Sequence, residues 1–531
     1  MQYLIKMLHS ALKLQNQGKL AEAEKLYSKV LEIDSGNFDA LHLLGLLRHQ
    51  HGDRTRGLEL VGAALKVNPN SAEALSNYGS ILCALNRQQE ALPYFERALA
   101  INPFFASALN NRGNALDHLE RHEEALECFK RALTLKPGDP QTLFNCGYAL
   151  RQLNRHREAL GYYEQFLKRL PSDSTLLNNC GKELALLGRS QDALACFDRS
   201  LQISPDDIEA HWQSALSRLT LGDLARGWKA YEWRWRTEEF PSEPRHTALP
   251  RWNGKGIGGT LLAWAEQGLG DEILYASMIP DLAGRVGALA LEVEPRLVPL
   301  FARSFPDARI IARDDPLPEV AAQIPFASLG QFLRPDSQSF PKRERGYLAA
   351  DAERAAALRR RLSPQGEKVV GLSWISKNPV LGKAKTATLA AFGPLLRMPH
   401  CRYVDLQYGD TAAEREDLQR RTGIHVERLD DIDNTQDIDG LAALIAACDL
   451  VVTVSNTTAH LAGALGKATV VFVPFGTARI WYWFHEGDDS PWYPRVRVKR
   501  QRQGQTWDEL IASAATEIGE FASGDTQPQP A

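Results

Sequence analysis

Residues 450–473, LVVTVSNTTAHLAGALGKATVVFV, hold a dense cluster of groups able to grip an anion. Leu450–Val454 is a run of apolar, mostly β-branched residues that reads as a buried parallel strand. The turn Ser455–Thr458 supplies hydroxyls and an amide. A small-residue helix follows from about Ala459 to Leu465, stopping at Gly466, and Ala468–Val473 reads as a second strand. That order puts the turn at a helix N-terminus, where the first N–H groups have no intrahelical partner and the macrodipole favours negative charge. A phosphate suits such a position. Ser455, Asn456 and Thr457 would serve equally as plain helix caps, so two roles stand side by side.

A second set of polar residues is periodic. Asn77, Asn111, Asn145 and Asn179 recur every 34 residues, with Gln213 in the same phase. Each amide carries donors and an acceptor, so a row of them can bond the main chain of an extended peptide whatever its side chains. The same row could instead tie neighbouring repeats together, or face solvent. The elements that position it share its period. Gly45, Gly79, Gly113, Gly147 and Gly181 allow two helices to approach, and Pro69, Pro103, Pro137, Pro171 and Pro205 end each second helix. Cys146 and Cys180 are 34 residues apart, and Cys128 and Cys196 are 68 apart, which makes them small core residues of the same array.

With 531 residues, 44% apolar and 24% charged, the chain can bury large cores in roughly three domains. A net charge of -3 gives no support for a nucleic-acid or bilayer-surface partner. MQYLIKMLHSALKLQNQGKL reads as an amphipathic helix rather than a signal peptide, and no run is apolar for the roughly 18 residues a membrane span needs. The expected compartment is the cytoplasm. No CxxC or Cys/His cluster has zinc-like spacing, so neither a metal nor a cofactor is expected.

Between the two halves, Trp212, Trp228, Trp233, Trp235 and Trp252 crowd together and read as a wedge buried between domains. Gly254–Gly259 matches GxGxxG, but the glycines precede a strand instead of following it, so they read as a turn. From Gly259 strands and helices alternate, predicting a parallel-sheet α/β architecture in two doubly wound halves. Expected strands are Thr260–Trp264, Ala288–Val293, Ala308–Ile311, Lys368–Trp374, Arg402–Gln407 and His425–Arg428, besides the two above. Ligands of such folds sit at the carboxyl ends of the strands. Asp431-Ile-Asp433 and Asp437-Ile-Asp439 match the DxD of metal-dependent transferases but, in a polar loop before a helix, read as caps and solvated charge.

The unit Ala106–Asp139 resembles the tetratricopeptide repeat, over about residues 4–240, as six full repeats and a seventh partial one. GLGDEI, SNTTAHLAGALG and the ending DDSPWYPRVRVKRQ resemble the heptosyltransferase-related GT-B glycosyltransferases over residues 240–520. Together the two halves are similar to O-linked N-acetylglucosamine transferases and bacterial flagellin glycosyltransferases. The resemblance implies an all-α superhelix (1–240), an acceptor-side Rossmann-like lobe (241–365) and a donor-side lobe (366–521), with a polar, disordered tail at 522–531.

It also implies roles. Asp271 would be the general base, although it would cap its helix equally well. Lys385 would neutralise the leaving phosphate of a nucleotide-sugar, with Lys383 close enough to be confused with it. Gln407, Ser455, Asn456, Thr457, Thr458 and His460 would contact the donor; the family usually has aspartate where Ser455 stands, so a charge is lost there. Trp481, Trp483, Trp492 and Tyr493 would shape a sugar pocket or simply pack a core. The asparagine ladder would hold a protein acceptor, flagellin by analogy, whose Ser/Thr hydroxyls receive the sugar without a metal. A lipid-linked or saccharide acceptor, with the repeats recruiting partners, and an inactive scaffold are the alternatives.

Overall fold

The computed structural model describes residues 2–238, 240–378, 381–476 and 479–523. Two compact units divide the chain, Met1–Glu183 and Leu184–Ala531. The first is entirely helical, beginning with Gln2–Asn16 and Leu20–Ile33 and continuing as antiparallel helix pairs. Its glycine column works by close approach. A Cβ on Gly79, Gly113 or Gly147 would lie within 2.8 Å of the ring of Phe95, Phe129 or Tyr163 on the second helix of the pair. The second helices end at Val67, Ile101 and Leu135, each two residues before its proline. Cys128, Cys146 and Cys180 are buried, as small core residues should be.

The second unit takes up the last repeats, with helices Ser190–Ile203, Ile208–Thr220 and Leu224–Tyr231, and joins them to the α/β half. The tryptophans of the junction make that joint. Trp228 is fully buried, crosses Trp481 at 5.1 Å with the rings near perpendicular, and donates its indole N–H to the Arg334 carbonyl at 2.9 Å. Arg234, also fully buried, meets the Glu266 carboxylate at 3.0 and 3.1 Å and the Ser328 hydroxyl at 2.8 Å. A charge pair this deep persists only with its hydrogen bonds complete, and it fastens the loop that leaves the first strand of the α/β half.

Two parallel sheets follow. Strands β1 (Ile257–Trp264), β2 (Val286–Val293), β3 (Ala308–Ala312) and β4 (Ala322–Pro325) form the first, ordered β3-β2-β1-β4. The glycines of the GxGxxG match lead into and begin β1, with Gly254 at φ +84 in the preceding turn. In the second, β5 (Lys368–Ser373), β6 (Cys401–Asp405), β7 (Val426–Glu427), β8 (Leu450–Val454), β9 (Ala468–Val473) and β10 (Val496–Arg500) are ordered β10-β9-β8-β5-β6-β7. The order reverses beside β1 in one sheet and beside β5 in the other, and the crevices at such points open at the strands' carboxyl ends.

Four helices matter for the site: α1 (Leu269–Ala276), α2 (Gly382–Lys385), α3 (Ile438–Ala447) and α4 (Thr457–Ala464). The last begins two residues earlier than its sequence suggests, because Asn456 is the cap. Strands β4 and β10 were not among those expected. The predicted tail is helical in backbone at 522 and 523, and 524–531 lie outside the described residues. Among the described residues no helix is long and apolar enough to cross a membrane.

Candidate functional site

A cleft of about 370 Å³ opens between the carboxyl ends of the two sheets, within the second unit. Helix α1 follows β1 and brings Asp271 to it; α4 follows β8 and brings Thr457, Thr458 and His460; α2 brings Lys385. The two helices meet closely, since a Cβ on Gly270 would sit 3.0 Å from His460 Cδ2. Asp271 and the Asn456–Thr458 part of the turn, distant in the chain, therefore border one space.

Asp271 is the third residue of α1, and its Oδ2 accepts the Gly268 N–H at 3.3 Å. Capping and exposure to the cleft coexist. Burial pushes its carboxyl up to about 6, with the Gly268 N–H and the Lys385 charge pulling the other way. Lys385, 4% exposed, is brought down to about 8 by burial, against the opposing pull of Asp271. Lys383 is exposed and does not line the cleft; Lys385 does.

Thr457 and Thr458 open α4, where the first-turn amides lack intrahelical partners. Thr458 is fully buried and its Oγ1 meets no partner within the protein. Asn456 also lines the cleft, but its side chain is spent: Oδ1 accepts the Ala459 N–H at 3.3 Å and Nδ2 donates to Ser373 Oγ at 2.8 Å. Its role is the cap. Burial, with the Lys385 charge adding to it, lowers His460 to about 3 and keeps the ring neutral. It lies 2.7 Å from the Tyr493 hydroxyl and 3.2 Å from the Tyr482 hydroxyl, setting Tyr482 against the cleft.

Two expected donor contacts are absent from the cleft, and of the two roles open to the aromatic cluster the packing one matches its burial. Gln407 does not reach the cleft: fully buried, its Oε1 accepts from Ser373 Oγ and the amides of Trp374 and Ile375 at 2.8–2.9 Å. Tyr408, one residue on, lines the cleft instead. Ser455 is fully buried behind the wall, where its Oγ accepts the Trp483 indole N–H at 2.8 Å, so the departure from aspartate falls outside the cleft. Trp481, Trp483, Trp492 and Tyr493 are buried and leave the lining to Tyr482.

Residues outside the expected set complete the cleft. Arg296, from the loop after β2, donates to the Thr435 carbonyl at 2.8 Å, and Lys377 lies 5.6 Å from the Tyr408 ring. Asn434 donates Nδ2 to the carbonyls of Asp405 and Gln407 at 3.2 Å each, while its buried Oδ1 has no partner in the protein. Among the described lining residues three cations, Arg296, Lys377 and Lys385, face one carboxylate, Asp271. The arrangement favours an anionic ligand. The DxD aspartates are engaged elsewhere: Asp431 pairs with Arg361 at 2.9 Å, Asp433 accepts the Thr435 N–H at 2.8 Å, Asp437 caps α3, and Asp439 pairs with Arg303.

In the first unit, the asparagine ladder connects the first helices of successive repeats. Asn77 Nδ2 lies 2.9 Å from His42 Nε2, Asn111 donates to Ser80 Oγ at 2.9 Å, and Asn179 accepts from Arg151 at 3.3 Å. Asn145 is the most fully engaged, donating to Asn110 and Asn114 at 3.0 and 2.8 Å and accepting from Gln141 at 3.1 Å. It also borders a surface cavity of about 510 Å³ with Asn114, Asp117, Phe144 and Tyr148.

These features define a chain with an N-terminal tetratricopeptide-repeat superhelix followed by an α/β half with parallel sheets. Tetratricopeptide-repeat family models match residues 106–139, and 42–104 with 146–208. The chain is similar to Protein FlbA of Caulobacter vibrioides, at 35% identity over 345 residues, which are 60% of this chain and 56% of that protein. It thus spans just over half the length of that curated relative. Among solved structures, it is similar to PilW, a type IV pilus biogenesis factor, at 23% identity, covering 40% of this chain and 97% of that one with TM-score 0.38. YrrB, a TPR protein with an unusual peptide-binding site, matches at 23% identity, 35% and 95% coverage and TM-score 0.31.

Proposed function

We propose that the α/β half is a glycosyltransferase that moves a sugar from a nucleotide-sugar to Ser/Thr hydroxyls of a protein, flagellin by analogy, recruited by the repeats. The observation that carries the reading is the cleft itself: one carboxylate with a raised pKa faces a buried lysine and a helix N-terminus bearing an unpartnered hydroxyl. Asp271, ionised above about pH 6, takes the proton of the acceptor hydroxyl. The hydroxyl oxygen bonds to the anomeric carbon as that carbon's bond to phosphate breaks. The departing nucleoside diphosphate receives the electron pair, and Lys385, Thr458 Oγ1 and the first-turn amides of α4 meet its charge. Direct displacement inverts the anomeric centre.

Donor hydrolysis by the wild type and by Asp271→Asn tests this. The variant is expected to lose about 10²–10⁴-fold in rate; equal rates sink the mechanism. A second reading, in which a saccharide or lipid-linked acceptor is modified and the repeats only recruit partners, draws on the ladder, whose amides bond to neighbouring helices. Replacing Asn111 and Asn145 together separates the two: loss of protein modification with donor hydrolysis retained favours peptide binding, and unchanged transfer favours the second.

A further inference from the structure

Helix α1 has Asp271 near one end and Ser277 at the other, and Ser277 opens onto a different cavity. We propose that this second cavity binds an oxyanion, the phosphate of a small organic phosphate. It shares no lining residue with the Asp271 cleft. Four of its side chains, Ser277, Arg334, Ser490 and Trp492, are 3%, 2%, 7% and 5% exposed. Each presents a buried polar atom without a partner in the protein: Ser277 Oγ, Arg334 Nε, Ser490 Oγ and Trp492 Nε1. One such atom costs about 1–3 kcal/mol, so four around one space form a site whose polar capacity is held in reserve.

The chemistry of the four is one-sided. The Arg334 and Trp492 N–H groups can only donate, and the two hydroxyls can donate as well. Their complement is therefore rich in acceptors, as the oxygens of a phosphate are. Charge agrees: Asp281 is shared by Arg334 at 2.5 Å and Arg343 at 3.0 Å, and with Lys342 and Asp489 the cavity's charged residues and their partner sum to one positive charge. Its bonds to the Asp281 carboxylate at 2.5 Å and to the Leu333 carbonyl at 2.6 Å fix the Arg334 guanidinium and leave Nε unspent. At about 370 Å³ the space exceeds by far the roughly 30 Å³ share of one water. Phe340 and Trp492, crossing at 4.8 Å and 89°, give it an apolar wall for the organic part.

The full-length protein labelled at its indole nitrogens provides the test. Loss of one resonance in Trp492→Phe, which keeps the ring and removes the N–H, identifies the reporter. Inorganic phosphate and phenyl phosphate are titrated in turn, and the Trp492 resonance is expected to shift saturably. The shift should vanish in Ser277→Ala with Ser490→Ala and persist in Thr458→Val. Half-saturation at a lower concentration of phenyl phosphate marks an organic phosphate, and equal affinity a free ion; both support the oxyanion site. A resonance unmoved by either probe overturns the proposal, as does a shift that survives the double variant but disappears in Thr458→Val.

Discussion

Asn145 in the repeat array and Asn434 in the cleft are both buried asparagines, 9% and 2% exposed, and they use their amides differently. Asn145 has both ends of its amide bonded to neighbouring side chains. Asn434 anchors its nitrogen on two strand-end carbonyls and leaves its oxygen unpartnered at the cleft. Buried polar groups are nearly always satisfied. An amide bonded at both ends to its neighbours holds structure, whereas one anchored at one end and unpartnered at the other keeps that end in reserve for a ligand. Thr458 Oγ1, just after the helix cap Asn456, is likewise without a partner in the protein.

The comparison can be broken at both extremes. Arg234→Met removes one partner of the buried Glu266 pair and is expected to cost about 3–5 kcal/mol, measured by denaturant unfolding of the full chain. A loss under 1 kcal/mol would mean the pair is not what fastens the loop before Asp271. Asn145→Ala should cost about 1–3 kcal/mol of stability while donor hydrolysis stays at the wild-type rate. Thr458→Val reverses that outcome: stability is unchanged or slightly improved, because an unpaired buried hydroxyl is removed, and KM for the donor rises roughly 5- to 10-fold, about 1–1.4 kcal/mol. If Thr458→Val destabilised the protein as much as Asn145→Ala, the distinction between the regions would be lost.

The smallest effect is a displaced flank. The proposed mechanism needs Asp271 ionised and Lys385 protonated, so kcat/KM should rise through about pH 6 and fall through about pH 8. Lys385→Arg should move the alkaline limb upward, because a guanidinium does not titrate in that range. A limb that stays put assigns it to another group.

Much of this was legible in the chain. The glycine column at 79, 113 and 147 needed only its period to predict tight helix pairs, and β8 and β9 have the bounds their apolar runs suggested. Misplacements came at single-residue resolution. Gln407 and Tyr408, or Ser455 and Asn456, differ by one position, and at a strand's end one position turns a side chain from the wall to the cleft. Strand β4 escaped notice because four buried residues carry no alternation, and β10 because VRVKR reads equally as a charged ending. Asn434 was visible only as part of an acidic loop, and Arg296 gave no signal at all.

The sequence by itself determined the repeat period, the two-lobed α/β half and the polar turn at a helix start, since each is written in local spacing and binary pattern. Only the tertiary structure decided which polar atoms are spent and which remain open. That distinction depends on neighbours brought together from distant segments: Trp483 against Ser455, Ser373 against Asn456, and Gly270 against His460. A hydrogen bond is made or left unmade by three-dimensional proximity, and no period in the chain encodes it.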